Sequence, residues 1–373
     1  MGNIADLQAH AVELAATTFH VSPSQTLSNG MVKQSEQTTF TLTELLARPN
    51  TSIPQLVDGL LPAQGLAMLG GPSDSGKSSI LRQLALAVVL KDASFLGFPI
   101  NATHHRAICV STEDGDGAVA PLLKKQLDGR TVLPDMGDGL RFVFDSENLV
   151  GRLDQMLAAQ PADLVVVDAF GDLYEGNLNA SNEVRGFLSK YQGIAVRHNC
   201  LVLFMHHTGK RTEEREPSKH NMLGSQGLEA KMRVVFELRP DPVDQSIRHL
   251  CVLKGNYLPA EAKGQSYALA FDNNLLFHNT GMRSSFGDLI KGPPESADER
   301  EMWEQALAMH RAGDSLSRIH TQLSPVAQDA GMKPPSRSTV DRRIKAMLKV
   351  VSPSHNIGVE TVKRETDEPR AAA

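Results

Sequence analysis

The stretch Leu69–Gln83, LGGPSDSGKSSILRQ, limits the possible folds of this chain more than any other. An apolar run over Leu66–Gly70 leads into it, and an apolar helical stretch over 77–90 leaves it. Between them, Gly71, Gly76, Lys77 and Ser78 meet the spacing G-x-x-x-x-G-K-[ST]. Glycines let successive backbone N–H groups turn inward as an anion cradle. The start of the following helix adds the positive end of its dipole. A strand, a glycine loop and a helix in this order predict a phosphate-binding turn.

The rest of the chain supplies a matching framework. From about residue 41, apolar runs alternate with amphipathic helical stretches, which predicts βαβ units and a largely parallel sheet. Strands are expected at Leu66–Gly70, Ala107–Thr112, Leu140–Phe144, Leu164–Asp168, Leu201–His206, Val234–Leu238, Leu250–Lys254 and Tyr267–Phe271. Helices are expected at 77–90, 148–160 and 182–198. The last three strands have no long helix between them, so an antiparallel extension of the sheet is predicted. The division that follows is a polar N-terminal arm over 1–40, an α/β core over 41–290, a Pro/Gly/Ser linker over 291–296, a small helical domain over 297–350 and a charged, disordered tail over 351–373.

Composition narrows the setting. The formal net charge of −5 over 373 residues does not announce a nucleic-acid binder, although a local basic patch is compatible with it. Cys109, Cys200 and Cys251 lie far apart in apolar runs, without metal or disulfide spacing, and read as buried free thiols. No apolar run has the length of a membrane span, and the N-terminus lacks the pattern of a secretion signal. A soluble, cytoplasmic protein is expected.

The loop and its neighbours define candidate chemistry. Gly71, Pro72, Ser73, Asp74, Ser75, Gly76, Lys77, Ser78 and Ser79 would wrap a nucleoside triphosphate, with Lys77 reaching the β- and γ-phosphates and Ser78 ligating Mg²⁺. Asp74 is an unusual acid to find beside phosphates. "ADLVVVDAF" (162–170) carries Asp168 at a strand tip, where a carboxylate can hold Mg²⁺ through water. "AICVSTEDG" (107–115) ends in Glu113 and Asp114, and Glu113 is the favoured base for the attacking water. "LVLFMHHTGK" (201–210) ends in His206 and His207, which read either as structural residues or as a sensor of the γ-phosphate. The charged segment 208–222 reads either as a solvated loop or as one whose order follows the nucleotide and which touches a polyanion.

In this order the motifs resemble the RecA-like core of the hexameric replicative helicases of the RepA and DnaB type, and most of all the RepA-like AAA-family ATPases of phages and plasmids. "LVDGLLPAQGLAMLGGPSDSGKS", "VSTEDG", "VVVDAFGDLYEGNLNASNEVRGF" and "LFMHHTGK" carry the likeness, which spans about residues 50 to 280. The resemblance implies ATP and Mg²⁺ as ligands, a ring (a hexamer) with nucleotide between subunits, single-stranded DNA and replication proteins as partners, and a cation from the neighbouring subunit at the γ-phosphate. Arg233 and Lys254 are the candidates for that cation. The chain departs from such relatives in having Leu223 where they carry an arginine ahead of a Gly-Ser pair. The implied activity is that of a P-loop ATPase and DNA helicase. The alternative is a RecA-like switch or regulator of recombination or replication that binds DNA without unwinding it. A small-molecule kinase would need an arginine-rich lid that the sequence does not offer.

The 297–350 segment reads as three helices. In the third, Val340, Ile344, Met347 and Leu348 form the inward face, Ser338 and Asp341 suggest a capping box, and Arg337, Arg342, Arg343, Lys345 and Lys349 are expected to face out. That pattern suits a helix-turn-helix on DNA or a basic protein-interaction module.

Overall fold

The computed structural model describes residues 39–49, 52–209, 211–222, 224, 226–290 and 297–351. The expected arm through residue 38, the linker 291–296, the tail from 352, and Lys210, Leu223 and Ser225 fall outside the described residues. The chain divides into two compact units, Met1–Pro54 and Gln55–Ala373. In the first, a short helix at Leu42–Leu46 is closed by a capping box: the Glu44 backbone N–H donates to the Thr41 hydroxyl at 3.2 Å, and the Glu44 carboxylate accepts from the Thr41 N–H at 2.6 Å.

The second unit is organised by a nine-stranded sheet. Its strands are β1 (Gly65–Gly71), β2 (Ala107–Ser111), β3 (Leu140–Val143), β4 (Leu164–Asp168), β5 (Leu201–His207), β6 (Val234–Pro240), β7 (Ile247–Gly255), β8 (Gln265–Phe271) and β9 (Phe277–Ser285). They lie in the order β9-β8-β7-β6-β1-β5-β4-β2-β3. From β6 to β3 every pairing is parallel, and β7, β8 and β9 continue the sheet antiparallel. All eight expected strands are present, and β9 is an addition to them. The principal helices are α1 (Lys77–Val89), α2 (Asp116–Gln126), α3 (Leu149–Ala159), α4 (Ser181–Arg197), α5 (Ala297–Arg311), α6 (Leu316–Asp329) and α7 (Arg337–Val351).

The parallel strands are buried on both faces, and their period-two alternation sorts side chains into two cores. Ala67, Leu69, Cys109, Leu203 and Phe236 face α1 residues such as Ile80 and Leu84. Leu66, Met68, Val110, Val167 and Phe204 pack with Leu188, Tyr191 and Ile194 of α4 and with α3. All three cysteines are buried free thiols, and burial raises each of them, Cys109 and Cys200 to about 12. No helix of the described residues is long and apolar enough to cross a membrane.

α5, α6 and α7 form a third core around Trp303, Ala306, Ile319, Leu323, Val340 and Ile344. The inward face expected for α7 is correct, but its cap is not, and of the cations expected to face out Arg337 and Lys345 do so while Arg342 and Arg343 turn inward. Ser336, not Ser338, accepts the Thr339 N–H ahead of the helix. Arg342 turns to the sheet domain, where its Nε lies 3.0 Å from Asp241. Arg343 packs 5.6 Å over the Trp303 ring, and burial lowers its pKa. Lys345 pairs within the helix with Asp341 at 2.8 Å. The outer face of a three-helix core is here the inner face of a second contact.

Candidate nucleotide-binding site

Register assembles the site. Gly71 at the end of β1 is level with His207 of β5, and Ser111 of β2 is level with Asp168 of β4. The four strands therefore deliver their tips to one edge of the sheet, where the loop to α1 also begins.

That loop is held by close approach and by internal bonds. Gly76 has φ +90°, and a Cβ there would meet Phe277 Cζ at 2.7 Å. A Cβ on Gly71 would lie 2.2 Å from the Leu238 carbonyl oxygen. Ser75 Oγ and Lys77 Nζ both donate to the Pro72 carbonyl, at 2.9 and 2.7 Å. Lys77 is buried, and desolvation lowers its pKa against the pull of Asp168, Glu113 and Asp74. A buried ammonium that donates to a loop carbonyl is poised to exchange it for a phosphate oxygen.

Asp168 shows the complementary shift. Burial raises its carboxyl, a Ser78 hydrogen bond opposes this, and the Glu113 charge adds to the rise. Its Oδ1 is buried without a hydrogen-bond partner among the described residues. A carboxylate oxygen left open beside a serine hydroxyl fits a hard divalent cation such as Mg²⁺.

Thr112 links the candidate metal carboxylate to the candidate base. Its N–H donates to the Asp168 carbonyl at 2.8 Å, and its hydroxyl accepts from Ala169 N at 3.0 Å while reaching Asp172 at 2.7 Å. Glu113, the next residue, meets His207 Nε2 at 3.3 Å. The two histidines part company at the tip of β5: His206 is buried edge-on to Phe170, and His207 faces the site. Asp114 contributes its carbonyl to the turn, accepting from Ser111 Oγ at 2.8 Å.

Behind the loop lies a polar lattice that sequence reasoning missed. Gln126 of α2 donates to the Ser79 and Leu275 carbonyls, both at 2.9 Å, and accepts from Arg82 Nε at 3.3 Å. Gln83 exchanges two hydrogen bonds with the Phe277 backbone, at 2.9 and 2.8 Å. These amides tie α1 to β9 and seat the stacked Phe271–Phe277 pair under Gly76.

The 208–222 segment is closed at its base. Thr208 N donates to the Gly71 carbonyl at 3.2 Å, Gly209 N to the Asn221 carbonyl at 2.9 Å, and Thr208 bridges Met222. Buried Arg239 of β6 spans Glu237, the Thr212 and Arg215 carbonyls and the Leu289 carbonyl. This segment is thus tied to both the phosphate loop and β6.

Arg233 and Lys254 do not join this constellation. They flank the beginning of β6, level with the start of β1, at the opposite edge of the sheet from the loop. Arg233 Cζ sits 5.8 Å over Tyr257, and Lys254 Nζ donates to the Glu229 carbonyl at 2.7 Å.

The strand order, the phosphate loop and the acidic tips beside it give the core a RecA-like P-loop fold. Consistent with that class, residues 33–213 match the family model described as an AAA domain. Similar solved structures include one described as an ATPase domain, at 14% identity and TM-score 0.47 over 62% of this chain and 93% of that one. They also include the RadB recombinase, at 17% identity and TM-score 0.43 over 60% of this chain and 92% of that one. No curated protein matches the chain.

Proposed function

We propose that the chain is an ATP-hydrolysing motor acting on nucleic acid, of the RepA-like replicative DNA helicase kind. The observation that carries hydrolysis is the convergence of Lys77, Ser78, Asp168, Glu113 and His207 at one sheet edge, with an open Asp168 oxygen. Loop N–H groups from Gly71 to Ser79 and the Lys77 ammonium would hold the phosphates, and Ser78 and Asp168 would hold Mg²⁺. Bound Mg²⁺ would neutralise charge on the phosphate oxygens. Glu113 accepts the proton of the attacking water, and its hydrogen bond to His207 must loosen to free that oxygen. His207 then passes the change to the 208–222 segment, which Thr208 anchors to Gly71.

The nucleic-acid step is supported by the order of motifs from Lys77 to His207. Arg233 and Lys254, remote from their own loop, would reach a γ-phosphate only from a neighbouring subunit in a ring. The second reading is a DNA-responsive switch without unwinding; the inward turn of Arg342 and Arg343 removes charge from α7 and leaves the ATPase core to contact DNA in either reading.

Steady-state ATP hydrolysis with and without single-stranded DNA separates these readings. The motor reading expects stimulation by DNA, abolition by Lys77→Ala, and strand displacement from a forked duplex. Hydrolysis stimulated by DNA without strand displacement supports the switch. Hydrolysis indifferent to both DNA and RNA overturns the nucleic-acid reading.

A further inference from the structure

We propose that Thr112 and Asp172 are positioning residues for Glu113, joining the short helix after β4 to the tip of β2 through one hydroxyl. Their role rests on the reading of Glu113 as the base for the attacking water.

β2 ends at Ser111, so Glu113 lies beyond the ladder and the sheet alone does not place it. Its backbone is pinned on either side instead. Ahead of it, the Thr112 N–H donates to the Asp168 carbonyl at 2.8 Å. Behind it, the Asp114 carbonyl accepts from Ser111 Oγ at 2.8 Å. The Glu113 side chain is half-exposed and meets His207 across a long 3.3 Å, so its position follows its backbone.

The Thr112 hydroxyl completes the anchor. It accepts the Ala169 N–H at 3.0 Å and faces two acceptors, the Asp172 carboxylate at 2.7 Å and the Asp168 carbonyl at 3.1 Å. A hydroxyl has one proton to give. The carboxylate is nearer and charged, and the Asp168 carbonyl is already engaged by the Thr112 N–H, so the proton goes to Asp172. That choice turns a lone pair of the same oxygen toward the Ala169 N–H. Asp172 is placed in turn by Phe170, which opens the short helix Phe170–Leu173 and is buried edge-on to Phe187, Phe204 and His206. Core packing thus sets Asp172, Asp172 orients the Thr112 hydroxyl, and the hydroxyl spans the two strand tips that carry Asp168 and Glu113. Asp172 itself is exposed, so its removal breaks this link without opening the core.

The test is single-turnover hydrolysis of Mg·ATP by the full chain. It is read beside calorimetric affinity for a non-hydrolysable ATP analogue with Mg²⁺, and beside amide exchange of residues 164–172 without nucleotide. Thr112→Val should slow hydrolysis about ten- to thirtyfold and Asp172→Ala about three- to tenfold, with analogue affinity within about twofold of wild type, because a misplaced base loses rate and not binding. Thr112→Ser, which keeps the hydroxyl, should recover most of the rate. Exchange at Ala169 should speed up in Thr112→Val and not in Thr112→Ser. On top of Glu113→Gln, Thr112→Val should slow hydrolysis by less than about twofold, since no base is left to position. Unfolding midpoints check that each variant is folded, and Asp172→Ala, at the surface, keeps the test decisive if Thr112→Val does not fold. Rates within about twofold of wild type in both variants overturn the proposal, as does a rate loss matched by an equal loss of affinity. Unchanged Ala169 exchange in Thr112→Val, or a full Thr112→Val effect on top of Glu113→Gln, overturns it as well. If Glu113→Gln alone hydrolyses ATP at the wild-type rate, the reading of Glu113 has itself failed and takes this inference with it.

Discussion

Removing Arg239 should produce a loss of stability that shrinks in acid. Arg239 and Glu237 form an ion pair with side chains 1% and 0% exposed. Arg239→Met leaves the glutamate buried with only the Asn221 side chain and the Ser218 backbone to hydrogen-bond it, and breaking such a pair costs about 3–5 kcal/mol. Burial already raises the Glu237 carboxyl even with Arg239 present. Without the guanidinium, its folded-state pKa rises further above the unfolded value. The penalty is then present at neutral pH and is relieved as pH falls toward the folded-state pKa, by up to ~1.4 kcal/mol per pH unit. Between pH 7 and pH 5 the difference between wild type and variant should contract by as much as ~2.7 kcal/mol. A remainder of about 1–2 kcal/mol should persist at both, from the Thr212, Arg215 and Leu289 carbonyls that lose their donor. Urea unfolding at the two pH values measures this. The double variant Glu237→Gln, Arg239→Met should show only the pH-independent part. A single-variant loss that is equal at pH 7 and pH 5 refutes the reasoning.

Three further outcomes are expected. Gly71→Ala should lower stability by about 1–3 kcal/mol and weaken triphosphate binding, because the new methyl meets the Leu238 backbone; unfolding and calorimetry measure both. Gln83→Ala should cost about 1–3 kcal/mol in thermal or urea unfolding by orphaning the Phe277 backbone groups, and should raise the KM for ATP by loosening the ring under Gly76. Burial alone would raise Asp241, but the His249 hydrogen bond, the Arg342 charge and the turn N–H donors outweigh it and hold the carboxyl low. Its contribution to stability is therefore present above the ordinary carboxylate range and lost as pH falls through the lowered value, and Asp241→Asn should flatten that part of the acid-unfolding curve.

Much of the site was legible because its chemistry is local. Lys77, Ser78, Asp168 and Glu113 each stand at a fixed offset from an apolar run, and parallel register does the rest. What was not legible depends on partners far away in the chain. Gln126 and Gln83 look like ordinary helical amides until α2 and β9 are folded against α1. α2 escaped notice because Gly117 and Pro121 lie within it, although Asp116 at its start and Lys124 and Lys125 at its end suit its dipole. β9, with His278, Asn279, Thr280 and Gly281 in its middle, lacks the apolar alternation that marks a strand. On α7 the period correctly separated Val340 and Ile344 from Arg342, but periodicity identifies only the first buried face. The pairing with Asp241 adds a second that the sequence does not announce.

On the proposed mechanism Glu113, beside His207 and across from Asp168, activates the water that attacks ATP. Single-turnover hydrolysis by Glu113→Gln, read alongside its affinity for Mg·ATP, tests it most directly. Affinity is expected within about threefold of wild type and hydrolysis slowed at least about a hundredfold, the scale of losing a general base. Hydrolysis at the wild-type rate with unchanged binding would contradict it.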